Sequence, residues 1–122
     1  MRNFRDLEIW KSGILLVKKV YLLVNTFPSA EKYGLSSQMS RSAISIPSNI
    51  AEGCSRESQK DFSRFLQIAL GSSFELETQL LISLEVGFIS QSKYSEIIES
   101  LNQLQKSINS LKKYAEKQTL NR

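Results

Sequence analysis

Apolar residues recur in this chain at alternating steps of three and four, and that spacing restricts it to helices that pack along their length. One series is Leu7, Trp10, Ile14, Val17, Tyr21 and Val24; another is Ile97, Leu101, Leu104, Ile108, Leu111 and Ala115. A repeat averaging 3.5 residues keeps one seam of a helix turned toward a partner, so each series predicts a sustained helix–helix contact. Two further segments have helical periodicity. Leu35, Met39, Ala43, Ile46 and Ile50 mark the first. Phe62, Phe65, Ala69, Leu76, Leu80 and Leu84, with Leu66, Leu70, Phe74 and Leu81 alongside, mark the second. No strand pattern competes.

Punctuation places the helices at about 7–25, 35–53, 58–86 and 91–117. Thr26-Phe27-Pro28 stops the first and Gly34 closes the loop to the second. Gly53 and Cys54 interrupt the pattern, and Ser58 three residues ahead of Asp61 has the spacing of a capping box. Gly87 ends the third helix. Ser90 is the expected cap of the fourth, with Ile89 and Tyr94 at the positions of a hydrophobic staple. Gln118 to Arg122 is expected to fray. Short connections between four amphipathic helices predict an all-α antiparallel up-down bundle. At 122 residues, 41% hydrophobic and 23% charged, the chain is expected to form a single domain spanning 1–122.

Composition narrows the chemistry. With no histidine and one cysteine there is no disulfide framework, Cys/His zinc site or imidazole catalysis. Glu75 and Glu77 are sequence neighbours and diverge on a helix, which argues against a paired-carboxylate site. Cys54 is expected to be a packing residue. The chain is therefore read as a non-enzyme without metal or cofactor, the remaining enzyme alternative being acid–base work by Glu52 or Asp61. The apolar run Ile14–Val17 ends at Lys18-Lys19. That is too short for a membrane span of about 20 residues or a signal peptide core of about 7 to 15. A cytoplasmic protein without membrane contact is expected.

Helix two is unusual. Between Ser36 and Gly53 only Arg41 and Glu52 are charged, and the rest are largely small or neutral. A solvated helix face normally carries more charge. The expectation is that one face packs on its own bundle and the other on a second subunit, the alternative being a serine-rich exposed face. Pro47 inside this helix predicts a kink or break costing about 3 kcal/mol. Ser48 and Asn49 are placed to satisfy freed backbone groups. Alternatively, Asn49 and Glu52 are buried pins of register, with Arg41 the only cation in the helix to partner Glu52. Ile46, Pro47, Asn49, Ile50, Glu52 and Gly53 are thus the candidate oligomer interface or structural motif. The charge-free stretch Leu66–Phe74 contains Gly71, for which close helix packing is the expected reason.

Sixteen Lys plus Arg against twelve Asp plus Glu give +4, a balance that permits an anionic partner and leaves position to decide. Arg56, Lys60 and several hydroxyls surround the start of helix three, where anions are favoured, and Arg64 follows one turn on. The two readings are phosphate contact, or intrahelical ion pairs with Glu57 and Asp61. No Walker-type loop is present. Lys112, Lys113, Lys117 and Arg122 are read first as complements to a helix C-terminus, with nucleic acid as the alternative. Trp10 and Tyr21 are assigned to the seam of helix one rather than to base stacking.

The segments Phe4–Lys11, Glu31–Leu35 and Ser45–Gly53, together with Lys60–Leu66, Gly71-Ser72 and Glu75–Leu80, resemble the four-helix-bundle family encoded by intervening sequences in bacterial 23S rRNA genes. The resemblance implies a closed ring of five bundles around a channel and no established enzyme activity. It extends to the accessory variability proteins of diversity-generating retroelements, which work with a reverse transcriptase and nucleic acid. The family pattern often has two basic residues where Ser40-Arg41 stands, which adds Arg41 to Arg56, Lys60 and Arg64 as candidate nucleic-acid contacts. A non-enzymatic homopentamer binding RNA or DNA through phosphates is expected, the alternative being a scaffold that docks a protein partner and no nucleic acid.

Overall fold

The computed structural model describes residues 2–120. It contains four helices: α1 (Glu8–Val24), α2 (Leu35–Cys54), α3 (Gln59–Glu85) and α4 (Gln91–Leu120). Short 3-10 turns at Phe4–Asp6 and Ser29–Glu31 precede α1 and α2, and no strand occurs among the described residues.

Local chemistry sets the helix ends. The Ser58 hydroxyl accepts the Asp61 amide at 3.0 Å and the Ser90 hydroxyl accepts the Lys93 amide at 3.1 Å, so each satisfies an orphan donor of the first turn. At the start of α2 the Glu31 carboxylate accepts the Leu35 amide at 3.2 Å. Gly87 has φ +83°, and the Phe88 amide reaches back to the Ser83 carbonyl at 2.9 Å. A left-handed residue there turns the chain from α3 into α4 without a Cβ clash. Helix α4 continues through Gln118 and Thr119, whose hydroxyl donates to the Ala115 carbonyl at 3.2 Å, in place of the expected fraying. Asn121 and Arg122 lie outside the described residues.

Helix α2 lies between α1 and α3. Early α2 meets late α3: the Ser42 hydroxyl donates to the Gln79 side-chain oxygen at 2.7 Å, and the Ser83 hydroxyl meets the Met39 sulfur at 3.4 Å. Farther along, the Ser45 and Ser72 hydroxyls share a 2.7 Å bond and Gly53 lies on Phe65. Early α3 in turn meets late α4, with Ser63 at 3.4 Å from the Glu116 carboxylate and the Gln105 amide at 2.9 Å from Glu77. α1 and α4 are the least closely packed of the neighbouring pairs, bridged by Lys19 Nζ to the Ser100 hydroxyl at 3.0 Å. Val20, Met39, Ile46, Leu76, Leu80 and Ile108 are wholly buried at the centre.

The seam of α1 is displaced from the expected one. Ile9, Leu16, Val20 and Leu23 are buried, followed by Phe27, whereas Ile14 and Tyr21 are exposed. Gly13 is the cause. A Cβ there would stand 3.2 Å from the Pro47 Cβ, so the bare backbone of α1 rests on the proline ring. The series Ile9, Gly13, Leu16, Val20, Leu23 and Phe27 also steps by fours and threes, and it is this series that turns inward.

Pro47 does not break α2, which runs uninterrupted from Leu35 to Cys54. The Asn49 side-chain amide donates to the Ser45 carbonyl at 2.8 Å and to the Ser45 hydroxyl at 2.9 Å, while the ring itself is buried against Gly13. The proline removes the donor to the Ala43 carbonyl, and burial of its ring is what offsets that loss; the Asn49 amide reinforces the neighbouring Ser45 carbonyl instead. Ser48 is exposed and its side chain makes no hydrogen bond among the described residues. Gly71 is likewise exposed, and an added Cβ meets nothing within 4 Å, so no close approach within the chain requires a glycine there.

The two glycines should respond oppositely to alanine. At Gly53 the new Cβ would lie 2.8 Å from the Phe65 Cβ, a clash between elements that cannot swing away. Gly53→Ala should lower stability by about 1–3 kcal/mol in urea unfolding. Gly71→Ala should raise it by roughly 0.5–1 kcal/mol through helix propensity. Equal stability of Gly53→Ala and the wild type would contradict the close approach of α2 and α3.

Candidate nucleic-acid interface

The turn from α2 to α3 is built around Arg56. Its guanidinium pairs with Glu52 at 2.7 Å, one turn back on α2, and stacks over the Phe65 ring with 4.7 Å to the centroid. Arg64 approaches the same ring at 5.4 Å. Arg2 straps the turn from outside: it donates to the Arg56 carbonyl at 3.3 Å and to the Gln59 side-chain oxygen, and lies 3.9 Å from the Phe62 centroid. No periodic signal marks Arg2. It arrives because α1 begins at the end of the molecule where α2 finishes.

These contacts change several assignments. Glu52 is exposed and its partner is Arg56 rather than Arg41, so it is not a buried pin. Neither Glu57 nor Asp61 forms an ion pair among the described residues, which leaves the ridge of α3 unlaced. Lys60 and Arg64 are exposed and make no ion pair there either. Arg41 stands apart. It lines a cleft between α1 and α2 with Tyr21, Lys32 and Tyr33, roughly 16 Å along α2 from Glu52, the partner of Arg56, at 1.5 Å per residue.

Lys60 and Arg64 instead share a shallow groove with Ser63 and Gln67 of α3 and with Lys112, Glu116 and Thr119 of α4. Asp61 also lines it. Lys112 pairs with Glu116 at 2.7 Å. The Lys112 hydrogen bond, with its charge, holds the Glu116 carboxyl below the usual carboxylate range, against a smaller opposing effect of burial. Lys113 and Lys117 are exposed on the same stretch of α4. Lys60 and Arg64 of α3 and Lys112 of α4, far apart in the sequence, thus line one groove together with Asp61 and Glu116. Arg122, the last of that basic series, lies outside the described residues.

Of the candidate interface residues, Ile46, Pro47, Ile50 and Gly53 are buried within the chain itself, Asn49 is half-buried, and Glu52 reaches solvent. The outward strip of α2 is Gln38, Arg41, Ile44, Ser48 and Glu52. Burial between α1 and α3 accounts for the neutral inward positions of α2. Tyr21 is exposed, and Trp10 is half-buried edge-on to Phe4 at 5.2 Å.

Among the described residues, no group of three or more His, Cys, Asp or Glu side chains is arranged to hold a metal ion. Among the same residues no helix is long and apolar enough to cross a membrane. Cys54 is buried, and burial pushes its thiol above the ordinary value, opposed in part by the charge of Arg2. In the folded protein its reaction with a thiol reagent at neutral pH should be far slower than in urea, and should speed up as rising pH ionises the thiol. Labelling as rapid as that of free cysteine would contradict this burial.

No curated protein matches the chain in sequence. A crystal structure of a protein with unknown function from the S23 ribosomal protein family of Bacteroides thetaiotaomicron has a TM-score of 0.77 and 26% identity, covering 86% of this chain and 98% of that one. The sequence model of the 23S rRNA-intervening sequence protein family matches residues 5–110, a span that takes in α1, α2, α3 and most of α4, and the chain belongs to that family.

Proposed function

We propose that the protein is a non-enzymatic, cytoplasmic homo-oligomer, a pentameric ring of up-down bundles, that holds structured RNA or another nucleic acid through phosphates. The observation that carries this reading is the convergence of Lys60 and Arg64 with Lys112 along one groove. Exposed Lys60 and Arg64 suit a phosphate backbone and Gln67 offers a further donor, while Lys112 is paired with Glu116 and the Ser63 and Thr119 hydroxyls donate to Glu116 and the Ala115 carbonyl. The start of α3 adds a positive dipole end beside them. Arg56 is engaged by Glu52 and acts chiefly as a fixed field, while Arg41 serves a separate contact. Assembly multiplies a net charge of +4 by the number of copies.

A second reading is a scaffold that docks a protein and no nucleic acid. Exposed Tyr33, Leu15 and Leu22 favour it, since large apolar groups at the surface suit a protein contact. A partner that survives nuclease treatment in a pull-down supports the scaffold; a partner that vanishes supports nucleic acid.

Fluorescence anisotropy with a labelled 23S rRNA hairpin tests the leading reading. Binding should weaken steeply with salt, and Lys60→Gln or Arg64→Gln should each reduce the slope of log K against log salt by about 1. An absence of binding even at low salt contradicts the proposal.

A further inference from the structure

We infer that copies of this chain join head-to-tail, the outer face of α1 of one copy lying along the outer face of α3 of the next. This rests on the homo-oligomer proposed above and assigns its surfaces, which are not those of α2.

Two strips of the molecule match. On α1, Leu15 and Leu22 are 61% and 62% exposed, and at seven residues apart they lie on one side of the helix. On α3, Phe74 and Leu81 are 51% and 46% exposed with the same separation. Each pair spans roughly 10.5 Å at 1.5 Å per residue, so the two knobs of one strip have the spacing of the two on the other. Seven-residue spacing is what helices need to interdigitate side by side.

The charges that the two helices carry along these stretches are of opposite sign; Glu8 and Glu96, which also border the leucines of α1, are paired with Lys11 and Lys93. From Trp10 to Asn25 the only charged residues are Lys11, Lys18 and Lys19. From Phe65 to Val86 the only charged residues are Glu75, Glu77 and Glu85. Two copies of the α1 face would repel each other, as would two copies of the α3 face. Lys11 is engaged by Glu8, Lys19 by Ser100 and Glu77 by Gln105, so pairing one face with the other sets chiefly Lys18 against Glu85, a complementarity that fixes both partner and register. Lys18 and Glu85 are exposed and make no ion pair among the described residues, so both remain available. Because the two strips are different surfaces of one molecule, the contact is heterologous. It propagates from copy to copy until a ring closes or a filament grows.

Light scattering after gel filtration tests this on the full chain, with far-UV circular dichroism to verify that each variant is folded. Leu22→Asp and Phe74→Asp should each shift the mass toward that of a single chain. Lys18→Glu and Glu85→Lys should each weaken assembly, and the double variant Lys18→Glu/Glu85→Lys should restore it, because the ion pair is rebuilt in reverse. Tyr114→Asp, on an exposed site of α4, should leave the mass unchanged. A wild type that assembles, with variants of Leu22, Phe74 and Lys18 that assemble equally, overturns this surface assignment and leaves the homo-oligomer standing. A single-chain mass for the wild type at micromolar concentration overturns both.

Discussion

The close approach of α1 to α2, glycine backbone against proline ring, is the contact on which the remaining architecture depends. Gly13 has no side chain to hold the helices apart, and Pro47 presents a flat apolar surface where an amide would otherwise be. This contact sets the rotation of α1, and through it which residues become core. Ile14 and Tyr21 lie outside because Gly13 lies inside. Gly53 plays the same part on the other side of α2, where Phe65 occupies the space of a missing Cβ. A helix approached closely on both flanks has little room for long charged side chains. The small residues on the inward faces of α2 follow from that position.

The opposed directions of α3 and α4 then create the candidate site. Lys60 and Lys112 are far apart in sequence and meet only because the first turns of α3 lie beside the last turns of α4. The opposed course that sets Ser63 by Glu116 and Gln105 by Glu77 also keeps the acids of α3 away from this groove, apart from Asp61. Charge is thereby sorted along the molecule. Basic groups gather near the α2–α3 turn, and the later part of α3 bears only acids. That sorting underlies both the phosphate reading and the head-to-tail contact.

Much of this was legible in the sequence, for identifiable reasons. Ser58 and Ser90 announce their caps because an N-cap is a local interaction, and the α4 seam is legible because nothing in α4 competes with its apolar series. The α1 seam misleads because two apolar series run through Trp10–Val24, and a residue without a side chain decides between them. Pattern counting gives glycine no weight. Pro47 misleads in the same way, since its cost is offset by burial of its ring against Gly13, which is a tertiary fact. Partner choice is the least legible property of charge. Glu52 pairs with Arg56 across the end of α2, and Arg2 reaches the turn from the far end of the chain. The family resemblance supplies the fold class directly, whereas the groove between α3 and α4 is visible only in three dimensions.

Native mass spectrometry of the protein mixed with a 23S rRNA fragment at low salt tests the central claim most directly, because one spectrum reports both the number of copies and the presence of RNA. The account predicts a peak for several copies carrying one RNA, displaced to the RNA-free assembly as salt rises. A spectrum of single chains without RNA at every salt concentration would contradict it.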